Sequence, residues 1–473
     1  MSFANNTKWV ALAQFIKILC QIMSLVVLAR LIPPNEYGIM AMAGVIVALG
    51  FLFRDMGTSA ALIQKETINE NLKNAVFWLN VLTGGLLAVV ICLLSPLAVS
   101  YFNEPKLLKV LMLLSLSFPI TSLASSHLAL MERDSNFKKI AYIESISSLL
   151  STLFAIFAAY KGAGVYSLVV QSLMNALLST LLIWKSSNWI PSLYGYKYLK
   201  DIKQIIGFSG NLVAFNFINY FSRNADRYVI GHFMASTILG AYDLAYKIML
   251  FPLQTLTFVV SRSMLPILSK HQNDTISFND TYLKALSWIT FISFPLMTGI
   301  MVLKDQFVAI VFGNQWSLVA GILWWLAPAG MLQSMNSTTG AVLTAKGKTN
   351  VLFYTGIMSA VIYVSGFLIS VKYGIIEFSK FYFYSNVLAV GLNLLILFRL
   401  IDLNLRDLFG KIFPSIVSSF LMFFVLMNLK VFFDESVLSF IFLIFLGMVL
   451  YIFFNVLLPN NLISRFIDER KRV

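Results

Sequence analysis

The stretch from Ile206 to Pro266, IGFSGNLVAFNFINYFSRNADRYVIGHFMASTILGAYDLAYKIMLFPLQTLTFVVSRSMLP, has the length and apolar content of two membrane-spanning helices. Arg223, Asp226, Arg227, Asp243, Lys247 and Arg262 nevertheless interrupt its runs of Phe, Leu, Ile and Val. A charge at the centre of a membrane helix costs from about 2.5 kcal/mol upward, so it normally faces a water-filled cavity or a partner. At about 100° of rotation per residue, Asn216, Asn219, Arg223, Asp226 and Arg227 share roughly a third of a turn of one helix face. One side of this helix is polar and cationic, and the other suits lipid or apolar neighbours. The competing reading is an interfacial cluster in which Arg223 and Arg227 extend to the membrane surface and pair with Asp226.

The rest of the chain supports the membrane setting. It is 473 residues long, 59% hydrophobic and 12% charged, against about 25% charged residues in an ordinary soluble domain. The net charge of +14 does not point to nucleic acid, because the basic residues sit in short connections between apolar runs. Windows of about 20 apolar residues fit one helix across the bilayer. They place spans near 9–32, 37–56, 76–101, 108–131, 141–160, 164–184, 206–230, 238–264, 285–303, 318–343, 351–371, 379–400, 412–432 and 437–457. The fold class expected is thus an all-α polytopic membrane protein of about fourteen helices. Alternate connections hold most of the Lys and Arg, among them Arg133, Lys138 and Lys139, then Lys185, Lys197, Lys200 and Lys203, and finally the basic tail from Arg465 to Arg472. This asymmetry puts both termini in the cytoplasm. The first span has no persuasive cleavage site and reads as a retained helix. Cys20 and Cys92 lie within apolar spans, where they act as small hydrophobes.

An internal repeat divides the chain. An offset of 202 positions lays Ala29-Arg30-Leu31-Ile32 on Gly231-His232-Phe233-Met234, Gly38 on Gly240 and Ala43 on Ala245 without a gap. The same offset lays Gln14, Lys17, Gln21 and Ser24, which share one helix face, on Asn216, Asn219, Arg223 and Asp226. With about six spans per repeat, both halves enter the membrane from the same side, as in transporters with parallel repeats. The expected organisation is two pseudo-symmetric six-helix bundles, residues 1–200 and 201–403. Two additional helices and a basic tail follow over 404–473.

Two such bundles meeting at a cleft would each contribute a polar wall. Lys17, Arg223, Arg227, Lys247 and Arg262 make a basic surface suited to phosphate, which Arg binds with paired hydrogen bonds that gain strength away from water. Gln14, Gln21, Ser24, Asn216, Asn219, Tyr242 and Tyr246 are candidate lining residues. The two tyrosines offer rings on which sugar C–H faces can pack, or else they pack within the helix bundle. Asp243 and Lys247 stand four residues apart and can pair on one helix. Asp226 and Asp243 balance these cations or serve a coupling ion. Weaker marks are Glu144, Ser148 and Ser151 on one face, Gln333, Ser337 and Gly340 on another, a solitary His127 read as packed or hydrogen-bonded, and an amphipathic elbow over 62–74. No catalytic or metal-binding motif survives the scan, so the chain reads as a non-enzyme needing no cofactor or metal.

The run Arg223-Asn224-Ala225-Asp226-Arg227-Tyr228-Val229-Ile230-Gly231, followed by Leu239-Gly240-Ala241-Tyr242, Ala245-Tyr246 and Pro252, resembles the corresponding region of Wzx-type polysaccharide flippases, particularly the colanic-acid-exporter-like branch. Ala29-Arg30-Leu31 with Tyr37-Gly38 resembles the start of the same proteins. They belong to the multidrug/oligosaccharidyl-lipid/polysaccharide exporter superfamily. The resemblance implies a bacterial inner-membrane protein that moves undecaprenyl-diphosphate-linked oligosaccharide from the cytoplasmic to the outer leaflet, and the expected mechanism is alternating access between two lobes. Its implied partners are that lipid-linked oligosaccharide, membrane lipids, and a polysaccharide polymerase and glycosyltransferases. His232 departs from the pattern, standing where relatives often carry Arg. The rival readings are a drug/cation antiporter of the same fold, which calls for a carboxylate-rich cavity, a non-transporting scaffold of a synthesis complex, and an intramembrane glycan polymerase.

Overall fold

The structure, a computed structural model, describes residues 3–55, 62–63, 65, 68–194, 196–197, 220–221 and 223–459. Among the described residues, 12 helices are long and apolar enough to cross a membrane, and they coincide with the expected spans outside 206–264. Of the two remaining expected spans, residues 206–219 lie outside the described residues, with helix following over 223–233, while 238–264 lies inside a single helix, Ser236–Lys270.

The helices of the first part are α1 (Phe3–Leu31), α2 (Pro34–Asp55), α3 (Glu70–Phe102), α4 (Lys106–Ser115), α5 (Ser117–Arg133), α6 (Phe137–Tyr160) and α7 (Val165–Ser186). Local chemistry explains their ends. Pro34 opens α2, where a missing N–H costs nothing. The Asn69 side chain accepts from Leu72 N at 2.9 Å and starts α3, and Asn103 ends it in the left-handed region at φ 53°. The expected span 108–131 divides at Leu116 into α4 and α5. Pro119 has no N–H to return to Ser115, and its ring crowds that carbonyl. Glu36 organises the start of α7: one carboxylate oxygen accepts from Val165 N at 2.7 Å and the other pairs with Lys106 at 3.1 Å. Gly164 is at φ +56°, and a Cβ there would lie 1.8 Å from the Glu36 carboxylate, so glycine is needed for both reasons.

A helix over 223–233 (α8) and α9 (Ser236–Lys270) are followed by α10 (Thr275–Val302), α11 (Lys304–Val311), α12 (Ser317–Asn336), α13 (Thr339–Ala345), α14 (Thr349–Ser370), α15 (Ile375–Leu400), α16 (Leu405–Leu429) and α17 (Val437–Leu457). The expected span 318–343 is broken between α12 and α13, where Ser334, Ser337 and Thr338 return their hydroxyls to carbonyls three residues back. Such bonds compete with the helix ladder.

The chain forms two compact units, Met1–Gly240 and Ala241–Val473. The expected boundary at 200/201 lies outside the described residues. In the first unit α1 packs on α6, α6 on α7, and α3 on both α4 and α5. In the second, α10 packs on α12 and α16, and α12 and α14 both pack on α15. Phe278, Tyr282, Leu286 and Leu397 are among its fully buried core residues. Met422, Leu426, Leu443 and Tyr451 seal α16 and α17 against Val302 of α10.

The repeat has a physical trace inside the first unit. A Cβ at Gly38 would lie 1.8 Å from the Ser236 carbonyl oxygen, and one at Gly240 would lie 1.9 Å from the Pro34 carbonyl oxygen. These pairs are reciprocal under the offset of 202, since Pro34 corresponds to Ser236 as Gly38 does to Gly240. Equivalent residues therefore meet backbone to backbone around a local two-fold axis, which only glycine allows.

Candidate functional site

The first helix exposes two opposite faces. Leu12, Phe15, Leu19 and Ile22 are 45%, 58%, 50% and 39% exposed and share one side. Gln14, Lys17, Gln21 and Ser24 occupy the other, with both glutamines exposed and Lys17 and Ser24 half-buried. An apolar exposed face suits lipid, and a polar one opposite it does not. On the polar face, Lys17 Nζ lies 2.6 Å from Glu144 Oε2 of α6. Two turns along, Gln171 of α7 donates to Ser24 Oγ at 2.9 Å and to Thr152 Oγ1 at 3.3 Å. The seam expected on α1 thus spans three helices, and its cation already has a carboxylate.

In α8, Asp226 is buried to 2% exposure and its Oδ1 accepts from Arg227 N at 2.8 Å. The Arg227 guanidinium donates to Asn224 Oδ1 at 2.8 Å, and Asn224 donates to Tyr220 O at 2.9 Å. The Tyr220 hydroxyl reaches the Val45 carbonyl of α2 and ties the start of this segment to that helix. Arg223 is exposed and has no ion-pair partner among the described residues. Asn216 and Asn219 lie outside the described residues. At the far end of α8, the His232 ring stacks on Tyr101 with centroids 4.3 Å apart and bonds the Tyr101 carbonyl at 2.7 Å.

The second unit carries its own polar set. Asp243 and Lys247 pair at 2.6 Å, the carboxylate side chain 4% and the ammonium side chain 44% exposed. Tyr242 is fully buried against Phe378, whereas Tyr246 is half-buried and approaches Tyr382 with ring centroids 6.3 Å apart. Tyr382 leads to a network the sequence reading did not assemble. Gln333 donates to the Tyr382 hydroxyl at 2.5 Å and to Asn386 Oδ1 at 3.1 Å, and Tyr363 donates to the same oxygen at 3.1 Å. Asn393, on the same face of α15, donates to Ser359 at 3.1 Å. The positions of Tyr382, Asn386 and Asn393 in an apolar span, at helical spacing, were the available signal. Arg262 lies on the backbone of α9, and its side chain is outside the described set.

The weaker marks find ordinary roles. His127 is fully buried between Trp184 and Trp189, and its Nδ1 pairs with Ser187 Oγ at 2.9 Å. Ser151 bonds a backbone carbonyl of its own helix, and Ser337, just past the end of α12, bonds the Ser334 carbonyl within it. The elbow after α2 is held by Arg133, whose guanidinium donates to the carbonyls of Leu62, Ile63 and Lys65.

The fold and these seams define a polytopic helical membrane protein that keeps charged and hydrogen-bonding groups on its spanning helices. The chain belongs to the polysaccharide biosynthesis protein family, which matches residues 27–321. It is 28% identical over 365 residues to the lipopolysaccharide biosynthesis protein WzxC of Escherichia coli, covering 77% of this chain and 74% of that one. It is 25% identical over 352 residues to the teichuronic acid biosynthesis protein TuaB of Bacillus subtilis, covering 74% and 72%. Among solved structures, the lipid II flippase MurJ in its inward closed conformation is similar in fold. The TM-score is 0.75, over 94% of this chain and 97% of that chain, at 16% identity. The resemblance read from Arg223–Gly231 and from the opening of the chain is borne out, and so is the exporter-superfamily fold.

Proposed function

We propose that this protein is a flippase that carries undecaprenyl-diphosphate-linked oligosaccharide across the bacterial inner membrane, by alternating access, for surface polysaccharide biosynthesis. The observation that carries this reading is the two-faced first helix, with Lys17, Ser24 and their partners opposite a lipid-suited face, in a chain of the polysaccharide biosynthesis family. The names of its relatives agree in substrate class: one serves lipopolysaccharide, one teichuronic acid, and the fold neighbour flips lipid II.

In this reading Lys17, Arg223, Arg227, Lys247 and Arg262 meet the diphosphate, since guanidinium and ammonium groups in a low-dielectric setting hold phosphate oxygens strongly. Gln14, Gln21, Ser24, Asn216, Asn219 and Tyr246 meet the glycan, and Asp226 and Asp243 balance charge. The lipid tail stays in the bilayer. Both termini are cytoplasmic, by the bias of Lys and Arg between connections. The repeats are residues 1–200 and 201–403, with two helices and a tail added over 404–473. The protein works without enzymatic chemistry, beside the glycosyltransferases and polymerase that make and extend the glycan.

Replacing Arg223 and Arg227 singly by Ala tests the reading. Each variant should insert normally and lose surface glycan, while normal export in both would remove the diphosphate role. Loss of assembly of the synthesis complex with flux intact would favour a scaffold instead.

A further inference from the structure

A fixed cation that binds a diphosphate also retains it, so a carrier needs something that takes the cation back. In the first unit Lys17 has an anionic neighbour. Glu144 Oε2 lies 2.6 Å from Lys17 Nζ, joining two helices rather than two turns of one, and the side chains are 36% and 38% exposed. Neither partner is sealed in the core, so an incoming anion can reach the ammonium without unpacking the bundle. The neighbouring bonds of the seam, Ser24 with Gln171 and Gln171 with Thr152, are between neutral groups. They need no counter-ion and do not compete for Lys17. The α1–α6 contact has its own support next to the pair, where Trp9 of α1 packs on Tyr142 of α6 with centroids 5.4 Å apart and Lys138 lies over the Trp9 ring at 5.1 Å.

We propose that Glu144 is the release group of this site: it competes with the diphosphate for Lys17, so the ammonium passes from Glu144 to cargo on loading and returns to Glu144 on discharge. The proposal rests on the reading of Lys17 as a diphosphate contact. Its physics is a charge balance. The empty seam is neutral, and a bound diphosphate leaves the Glu144 carboxylate without its partner and beside a like charge. That penalty weakens binding enough for the cargo to leave. Glu144 acts through Lys17 and is a positioning residue; a mere tether between α1 and α6 would not change affinity in the predicted direction.

The test uses the full chain in nanodiscs with undecaprenyl diphosphate as the probe, alongside surface-glycan export in cells. Glu144→Gln keeps the shape and removes the competitor. It should bind the probe about five- to thirtyfold more tightly and export more slowly. Lys17→Gln should bind more weakly, and Glu144→Gln on that background should tighten binding by a smaller factor than it does in the wild type, because only the like-charge repulsion is left to relieve. Glu144→Asp, which keeps the charge with a shorter reach, should fall between wild type and Glu144→Gln, and it carries the test if the Gln variant does not fold. Weaker or unchanged binding in Glu144→Gln or Glu144→Asp, with Lys17→Gln still weakened, overturns the exchange and leaves Lys17 as a diphosphate contact. Unchanged binding in Lys17→Gln removes that contact, and the exchange falls with it.

Discussion

Gly240→Ala is the sharpest probe of how the first unit is put together. The added methyl would sit 1.9 Å from the Pro34 carbonyl oxygen and 2.9 Å from Gly38 N, both backbone atoms that cannot rotate away. Restoring ordinary contact near 3.4 Å requires the two backbones to part by about 1.5 Å. Overpacking of this kind costs about 1–3 kcal/mol, and a backbone clash belongs at the upper end. Alanine returns about 1 kcal/mol through helix propensity, leaving a net loss of about 2 kcal/mol. Gly38→Ala meets the Ser236 carbonyl at 1.8 Å and should lose as much. Because either methyl forces the same separation, the double variant should lose clearly less than the sum of the two. Gly44→Ala and Gly85→Ala are the controls: nothing lies within 4 Å of either added methyl, so each should gain up to about 1 kcal/mol. Denaturant titration in detergent micelles, followed by tryptophan fluorescence, reads all five. If Gly240→Ala proves as stable as Gly44→Ala, or if the two clashing substitutions add fully, the helices do not cross tightly at Gly38 and Gly240.

Three further outcomes follow from burial and hydrogen bonding. Lys247→Met removes the ammonium paired at 2.6 Å with a carboxylate that is 4% exposed and should lose about 1–3 kcal/mol, whereas Lys284→Met, at the same spacing from a 48% exposed Asp280, should lose under about 0.5 kcal/mol in the same titration. Asn386→Ala removes an acceptor shared by Gln333 and Tyr363 in a fully buried position, and about 2 kcal/mol should be lost. His127→Ala empties the space between Trp184 and Trp189 and removes one of the two hydrogen bonds at Ser187 Oγ; it should lose about 2–4 kcal/mol and shift tryptophan emission, which a steady-state spectrum detects.

What could be read from the chain follows from the range of each interaction. A span announces itself through about 20 adjacent apolar residues, so the twelve described spans fall where expected. Their ends were less visible, because they depend on single side chains: Asn69 starts α3 six residues before the expected 76, and Asp274 starts α10 ten residues before the expected 285. The polar face of α1 was legible because Gln14, Lys17, Gln21 and Ser24 repeat at helical spacing. The partners of that face were not, since Glu144 and Gln171 lie more than a hundred residues away and meet it only once α6 and α7 pack. Tyr242 shows the opposite error of range. It repeats with Tyr246 along the sequence, yet α15 places Phe378 over it and leaves only Tyr246 partly exposed. The glycines give the clearest link between levels, because an offset seen in letters reappears as two reciprocal backbone contacts.

Movement of a lipid-linked diphosphate sugar across a bilayer is the activity proposed for this chain. The direct measurement is the rate at which a fluorescent undecaprenyl-diphosphate-linked oligosaccharide becomes accessible on the far side of vesicles containing the purified protein. Wild type should raise that rate well above protein-free vesicles, and Arg223→Ala and Arg227→Ala should return it to the background while remaining folded. A wild-type rate equal to that of empty vesicles, with the protein shown to be folded and inserted, would contradict the claim.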